Sequence, residues 1–121
     1  MGTTATNNCI NLDYLRLMAD NDEEMIQTML AMLLEELPDE MGKIKQLAAV
    51  DNWDELTRVS HKMKSTLAFV GNDDMTAANK ELDRTTKYKT DLHLVPKLVA
   101  TLEEHFPKVM LSLEKEVANM G

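Results

Sequence analysis

The chain has 121 residues, with 21 acidic and 13 basic side chains and a formal net charge of −8. This length is typical of one domain that buries its own hydrophobic core. The negative charge argues against nucleic-acid binding, which relies on contacts between Lys or Arg and phosphates. No apolar run approaches the ~20 residues of a membrane span and no signal-peptide pattern is present, so we expect no direct membrane insertion. The single cysteine, Cys9, indicates a reducing compartment.

The N-terminal part of the sequence predicts a tail and a short helix. Residues 1–9 are polar and aperiodic, which predicts a flexible tail before a helical domain over residues 10–121. A short helix is expected from Ile10 to Ala19, with Asn11 as its cap. The polar residues that follow end this helix, and Asp22 is placed to cap the next one.

A long helix is predicted over residues 22–50. An interior proline, here Pro38, kinks a helix without having to end it. We predict one kinked helix, with a helix–turn–helix as the alternative, because the apolar positions stay in phase across the proline: Met25, Met29, Leu33, Leu37, Met41, Ile44 and Leu47.

The third helix has clear start and stop signals. Asn52 with Glu55 three residues later resembles a capping box, although Asn replaces the usual Ser or Thr. The helix continues to Val70, and Gly71 is predicted to be its C-terminal stop.

Two further helices complete the predicted fold. A shorter one begins at Asp73 or Asp74, and a polar connection over residues 87–91 leads to a last helix over residues 92–119. No segment alternates strictly between polar and apolar residues, so no strand is predicted. The predicted fold class is all-α: an antiparallel up-and-down four-helix bundle with a short additional N-terminal helix.

The third helix places His61 on its exposed face. At about 100° per residue, His61 lies roughly 150° from the centre of the apolar stripe. That stripe consists of Leu56, Val59, Met63, Leu67 and Val70. We therefore expect the imidazole to face solvent.

The neighbours of His61 are small or positively charged. Thr57, Ser65 and Ala68 share its face and leave room for a partner, while Arg58 and Lys64 lie to either side. A histidine that is exposed among cations and small side chains can accept a phosphoryl group from another protein. Most surface histidines on helices have no such function, and this alternative stays open at this point.

The run His61-Lys62-Met63-Lys64-Ser65, followed by Gly71, resembles the signature of histidine-containing phosphotransfer domains, the HPt family of phosphorelays. That signature is a histidine followed by an apolar residue two positions on, a lysine three on, a small residue four on and a glycine ten on. The resemblance covers residues 10–118 and extends to three flanking segments: residues 34–38, residues 51–56 and Glu81-Leu82-Asp83.

The resemblance implies a function and a set of site residues. His61 would accept a phosphoryl group from a receiver-domain aspartate and pass it to another receiver, with Lys64 beside the phosphoryl group and Ser65 admitting the partner. The expected partner-binding residues are Thr57, Arg58, Lys62, Ser65, Ala68 and Phe69. Phe69 stands where the family often has a polar residue; it either tunes partner choice or packs against a bend.

The same resemblance implies partners and the absence of a cofactor. We expect a monomeric, cytoplasmic carrier that binds response-regulator receivers and a hybrid histidine kinase, and that belongs to a membrane-bound hybrid kinase if it is part of a longer protein. No glycine-rich phosphate loop is present, so we expect no ATP-dependent kinase activity. Magnesium is expected in the receiver partner, not in this chain. Neither His93 nor His105 has a second metal ligand at helical spacing, so no metal site is predicted.

Two other functions compete with this one. The sequence around His61 is superficially similar to the histidine box of the dimerisation and phosphoacceptor domain of a sensor histidine kinase. Lys62 and Thr66, however, replace the acidic residue and the proline of that box. The other alternative is a non-catalytic helical interaction module that resembles an HPt domain.

Overall fold

The computed structural model describes residues 9–120, which contain five α-helices and no strand. The helices are α1 (Asp13–Met18), α2 (Glu23–Ala49), α3 (Trp53–Val70), α4 (Asp73–Tyr88) and α5 (Val95–Met120), and a 3₁₀ turn (Leu92–Leu94) precedes α5. No helix within this range is long and apolar enough to cross a membrane. Residues 1–8 of the predicted tail lie outside the described residues.

The four long helices form the predicted four-helix bundle. Each packs on its neighbours in the order α2, α3, α4, α5, and α5 closes the ring against α2. The connections between the long helices are short, which makes sequential helices antiparallel. The short helix α1 packs across α3 and α2 at one end of the bundle. The all-α fold class is confirmed.

Asparagine and aspartate side chains begin three of the helices. Asp22 accepts a hydrogen bond from the backbone N–H of Glu24, and Asn52 accepts one from that of Glu55, as predicted. Asn72 caps α4 in the same way and was not anticipated. These caps satisfy N–H groups that the first turn of a helix leaves without a partner.

Cys9 differs from the predicted flexible tail. Its carbonyl oxygen accepts a hydrogen bond from the Asn72 side-chain amide at 2.8 Å, and its sulfur lies 2.7 Å from the Ser112 hydroxyl oxygen. Cys9 therefore packs with the folded domain. The short helix is also shorter than predicted, because it begins at Asp13, whose N–H is bonded by the Asn11 side chain.

The helix α2 is continuous through Pro38, so the helix–turn–helix alternative is wrong. Its buried stripe, however, differs at the N-terminal end from the predicted one. Met25 is 48% exposed, whereas Ile26 and Leu30 are buried. Residues spaced by four drift by about 40° per step around a helix, and over four steps this drift carries Met25 away from the core.

The last helix also begins later than predicted. Residues 92–94 form the 3₁₀ turn, and α5 starts at Val95 and continues through Pro107. Pro96 lies in the first turn of α5, where the missing N–H of proline costs nothing.

Gly71 joins α3 to the N-terminal segment of the domain. It ends α3 in the left-handed conformation, with φ of 73°. The backbone N–H of Asn11 donates to the Val70 carbonyl oxygen at 2.9 Å, which brings the Asn11 backbone against Gly71. A Cβ atom at Gly71 would collide with the Asn11 carbonyl oxygen. The position thus requires glycine for both its dihedral angle and its lack of a side chain.

We expect Gly71→Ala to lower the free energy of unfolding by about 2 kcal/mol or more, because the cost of the left-handed dihedral angle and the cost of the collision with Asn11 add together. Chemical denaturation followed by circular dichroism measures this change. Gly42→Ala is the matched control: Gly42 is exposed within α2 and nothing lies near its Cβ position. The free energy of unfolding of that variant should be higher than that of the wild type by up to about 1 kcal/mol. Equal effects of both substitutions would contradict the role of Gly71.

Candidate functional site

The helix α3 carries the candidate site on the side opposite its buried face. The buried residues of α3 are Leu56, Ser60, Met63, Thr66, Leu67 and Val70. His61, Lys64, Ser65 and Ala68 are all exposed, as the helical spacing predicted. The imidazole of His61 is thus accessible to a large partner.

His61 lies in a shallow depression between α3 and α4, here called the His61 depression. Its other lining residues are Asp54, Thr57 and Arg58 from α3, and Asp83 and Lys87 from α4. Asp54 forms an ion pair with Lys89 at 2.9 Å. Asp83 forms no ion pair within residues 9–120, which leaves it available to the imidazole.

A second depression, the Lys64 depression, lies one helical turn further along the same seam. It is lined by Lys64, Lys80 and Asp83 at its rim, with Ser60, Leu67, Thr76 and Asn79. Asp83 belongs to both depressions, so the two adjoin beside His61. Lys64 pairs with no carboxylate in the described part of the chain, and its ammonium group is available to an anion.

The predicted partner-binding residues divide into free and engaged side chains. Arg58 and Lys62 are exposed, although Arg58 lies 3.6 Å from the Glu55 carboxylate. Thr57 is half-buried, and its hydroxyl is shared between the Trp53 carbonyl oxygen at 2.8 Å and the Thr86 hydroxyl at 2.7 Å. Thr57 therefore joins α3 to α4 as well as lining the His61 depression.

An apolar groove, here called the Phe69 groove, runs between α2 and α3 on the other side of the histidine. Its lining residues are Met29, Met32, Leu33, Glu36, Ser65, Thr66 and Phe69. Phe69 is half-buried and stacks on Tyr14 of α1, with ring centroids 5.3 Å apart. Phe69 thus packs against α1 and also forms one wall of an open groove, and an effect on partner choice stays a prediction.

A buried carboxyl group lies behind this groove. Glu40 on α2 is 1% exposed, and one of its oxygens accepts a hydrogen bond from the Thr66 hydroxyl at 3.2 Å. Its other oxygen has no hydrogen-bond partner among residues 9–120. Burial raises the pKa of Glu40, and the Thr66 hydrogen bond and the charge of Lys62 offset this only in part.

Sequence reasoning missed the half of the site that α4 contributes. Asp83 and Lys87 line the His61 depression and Lys80 lines the Lys64 depression. Met32 is 51% exposed and was not predicted to be a site residue either. The sequence signal for this half of the site is Asp83, in the Glu81-Leu82-Asp83 segment that resembles the family.

The described residues show no metal centre. No group of three His, Cys, Asp or Glu side chains between residues 9 and 120 is arranged to hold a metal ion. His105 lies 3.5 Å from the Asp74 carboxylate and links α5 to α4, which is a structural contact.

Comparison with protein families assigns the chain to one of them. Residues 28–118, about three quarters of it, match the family described as Hpt domain. The chain belongs to the Hpt domain family. Hpt domains are helical bundles that carry phosphoryl groups on histidine in two-component phosphorelays, and they interact with receiver domains and histidine kinases. No curated protein and no solved structure gave a match.

The match to the Hpt domain includes every part of the candidate site except α1. It begins within α2, so Met29 and the rest of the Phe69 groove fall inside it, as do His61 and Asp83. Tyr14, which supports Phe69, lies before the matched region.

We expect Glu40→Gln to stabilise the domain at pH 7. Because the folded-state pKa of Glu40 is raised, its contribution to stability is full below the unfolded-state pKa and is lost as pH rises through the folded-state pKa. The stability gain of the Gln variant should therefore be present at pH 7 and shrink toward pH 4 in urea denaturation series. Glu35→Gln, an exposed position on the same helix, is the control. A gain that is constant across this pH range would contradict the assignment.

Proposed function

We propose that this Hpt domain accepts a phosphoryl group on His61 from the aspartyl phosphate of one receiver domain and passes it to a second receiver. The observation that carries the proposal is the exposure of His61 on a rigid helix, with cations in both adjoining depressions. Ser65 and Ala68 keep the approach to it open.

The proposed reaction is a reversible exchange of bonds at phosphorus. A neutral imidazole nitrogen attacks the phosphorus atom, the bond from phosphorus to the aspartyl oxygen breaks, and the carboxylate leaves with the bonding electrons. Transfer to the second receiver is the reverse reaction with a different carboxylate. Histidine is suited to this because much of it is neutral near pH 7.

The surrounding charges support each stage of the exchange. Lys64 is one turn from His61 and stabilises the phosphoryl oxygens, and charge-assisted hydrogen bonds of this kind are among the stronger ones. Asp83 lines the same depression, and its carboxylate would accept a hydrogen bond from the N–H of the imidazole nitrogen that does not react, which would hold the ring in one tautomer. The magnesium ion and the acceptor carboxylate belong to the receiver in this proposal.

The Phe69 groove is the proposed docking surface for the receiver. It adjoins Ser65, which is one turn beyond His61, and it is lined mainly by apolar side chains. Exposed Met32 and half-buried Phe69 provide apolar area that a helix of the receiver would cover. Docking there brings the receiver's aspartate over the His61 depression.

The proposed carrier works without an ATP-dependent kinase activity of its own. The described residues form a whole four-helix bundle from one chain, which fits a monomeric carrier better than a kinase dimerisation domain, whose bundle requires two chains. The upstream donor is proposed to be the receiver of a hybrid histidine kinase, and the proposed location is the cytoplasm.

His61→Gln should abolish labelling from a receiver that carries radioactive phosphate, in a reaction without ATP. The helical circular dichroism signal should stay unchanged, because an exposed side chain contributes little to stability. His93→Gln, also exposed, is the matched control and should accept label as the wild type does. The label should be lost in acid and retained in alkali, as phosphohistidine requires. Label on the His61→Gln variant would contradict the proposal.

Ser65→Trp should weaken receiver binding at least about tenfold, because the indole would fill the space beside the Phe69 groove where the partner docks. Isothermal titration calorimetry with an unphosphorylated receiver measures the affinity independently of transfer. Ala118→Trp, at an exposed position on α5, controls for the added indole and should bind normally. Undiminished binding by Ser65→Trp would place the docking surface elsewhere.

A further inference from the structure

We infer that Ser60 and Asn79 form a positioning pair that fixes the rotation of α3 beneath His61, and this inference rests on the proposed function. Ser60 directly precedes His61 in the chain, and Asn79 lies on α4. Both side chains are buried, with 0% and 3% exposure. They connect the two helices that form the His61 and Lys64 depressions.

The two residues bond to each other in both directions. The Ser60 hydroxyl donates to the Asn79 side-chain oxygen at 2.7 Å and lies 3.1 Å from the Asn79 carbonyl oxygen. The Asn79 side-chain amide donates to the Ser60 carbonyl oxygen at 2.9 Å. The pair therefore joins side chain to side chain and also side chain to backbone.

The backbone bond is the one that bears on His61. The Ser60 carbonyl belongs to the peptide unit that it shares with the His61 nitrogen. Within an α-helix the same carbonyl accepts the N–H four residues later, which is that of Lys64. Asn79 thus bonds to the peptide group between Ser60 and His61. The carbonyl oxygen of that group also accepts the N–H of Lys64, the proposed phosphoryl-stabilising residue.

Among residues 9–120, one other side-chain hydrogen bond crosses the interface between α3 and α4, from Thr57 to Thr86 at 2.7 Å, and it does not involve the peptide group between Ser60 and His61. Around the pair the buried residues are mainly apolar, including Met63, Leu67 and Leu82. Apolar packing is not directional, whereas a buried hydrogen-bonded pair is satisfied in one arrangement only. Rotating α3 by about 15° would move an atom roughly 6 Å from the helix axis by roughly 1.5 Å. Misplacement of about 1 Å can cost 10²-fold in rate.

The test replaces both partners at once. Ser60→Ala with Asn79→Leu removes the pair without leaving a buried polar group unsatisfied, so the double variant should fold with a thermal midpoint within about 4 °C of the wild type. Thr85→Val is the matched control. Thr85 is fully buried on α4, and among residues 9–120 its hydroxyl bonds only within its own helix, to the Leu82 carbonyl oxygen.

Rapid-quench transfer from a phosphorylated receiver separates positioning from docking. The double variant should keep the receiver concentration for half-maximal rate within about twofold, while the maximal rate falls about tenfold or more. Thr85→Val should change neither quantity. A double variant that transfers at the wild-type maximal rate would overturn the inference, as would a loss of rate that the Thr85→Val control shares.

Nuclear magnetic resonance gives a readout that needs no transfer. In the double variant the His61 imidazole nitrogen shifts should change and the amide of Lys64 should exchange with deuterium about tenfold faster. Unchanged shifts and exchange would overturn the inference. Wild-type protein that accepts no label from any receiver would contradict the carrier function, and these spectra would still decide whether the pair holds His61.

Discussion

The burial of one face of α3 is the constraint on which the candidate site depends. Leu56, Met63 and Leu67 are fully buried between the neighbouring helices. The angular spacing of an α-helix then directs His61 to the opposite side, with no loop residue involved. The exposure of Lys64 and Ser65 has the same cause, because both residues lie on the same rigid helix. Sites built on helices hold their geometry better than sites built on loops.

The features that local sequence encodes were predictable. The Asn52 cap, the apolar stripe and the Gly71 stop of α3 each depend on residues within a few positions, and the structure agrees with them except that Val59 of the stripe is only partly buried. The long helix α2 was also recognised, because an apolar pattern that stays in phase indicates a continuous helix even across Pro38.

The features that depend on tertiary packing were not predictable. Cys9 is held by Asn72 and Ser112, which are distant in sequence and give no local signal. The contributions of Asp83 and Lys87 to the His61 depression depend on how α4 is rotated against α3, which a single sequence does not reveal.

The charge around His61 is opposite in character to that of the whole chain. Although the net charge is −8, four cations line the His61 and Lys64 depressions, against two carboxylates, those of Asp54 and Asp83; the cations are Arg58, Lys64, Lys80 and Lys87. At physiological ionic strength electrostatic interactions between exposed charges are largely screened beyond about 8 Å. A phosphoryl group on His61 would therefore interact mainly with these nearby cations, and the excess of acidic residues elsewhere would favour solubility.

The methionines of the Phe69 groove bear on how one surface serves two different receivers in the proposed relay. Met29 and Met32 have unbranched, flexible side chains that can change conformation to fit partners of different shape. Phe69, fixed against Tyr14, provides one rigid wall beside these adaptable ones. Such a surface accommodates several related partners at the cost of selectivity. Discrimination between receivers would then depend on Glu36, the charged residue that lines the groove, more than on the fit of its apolar side chains.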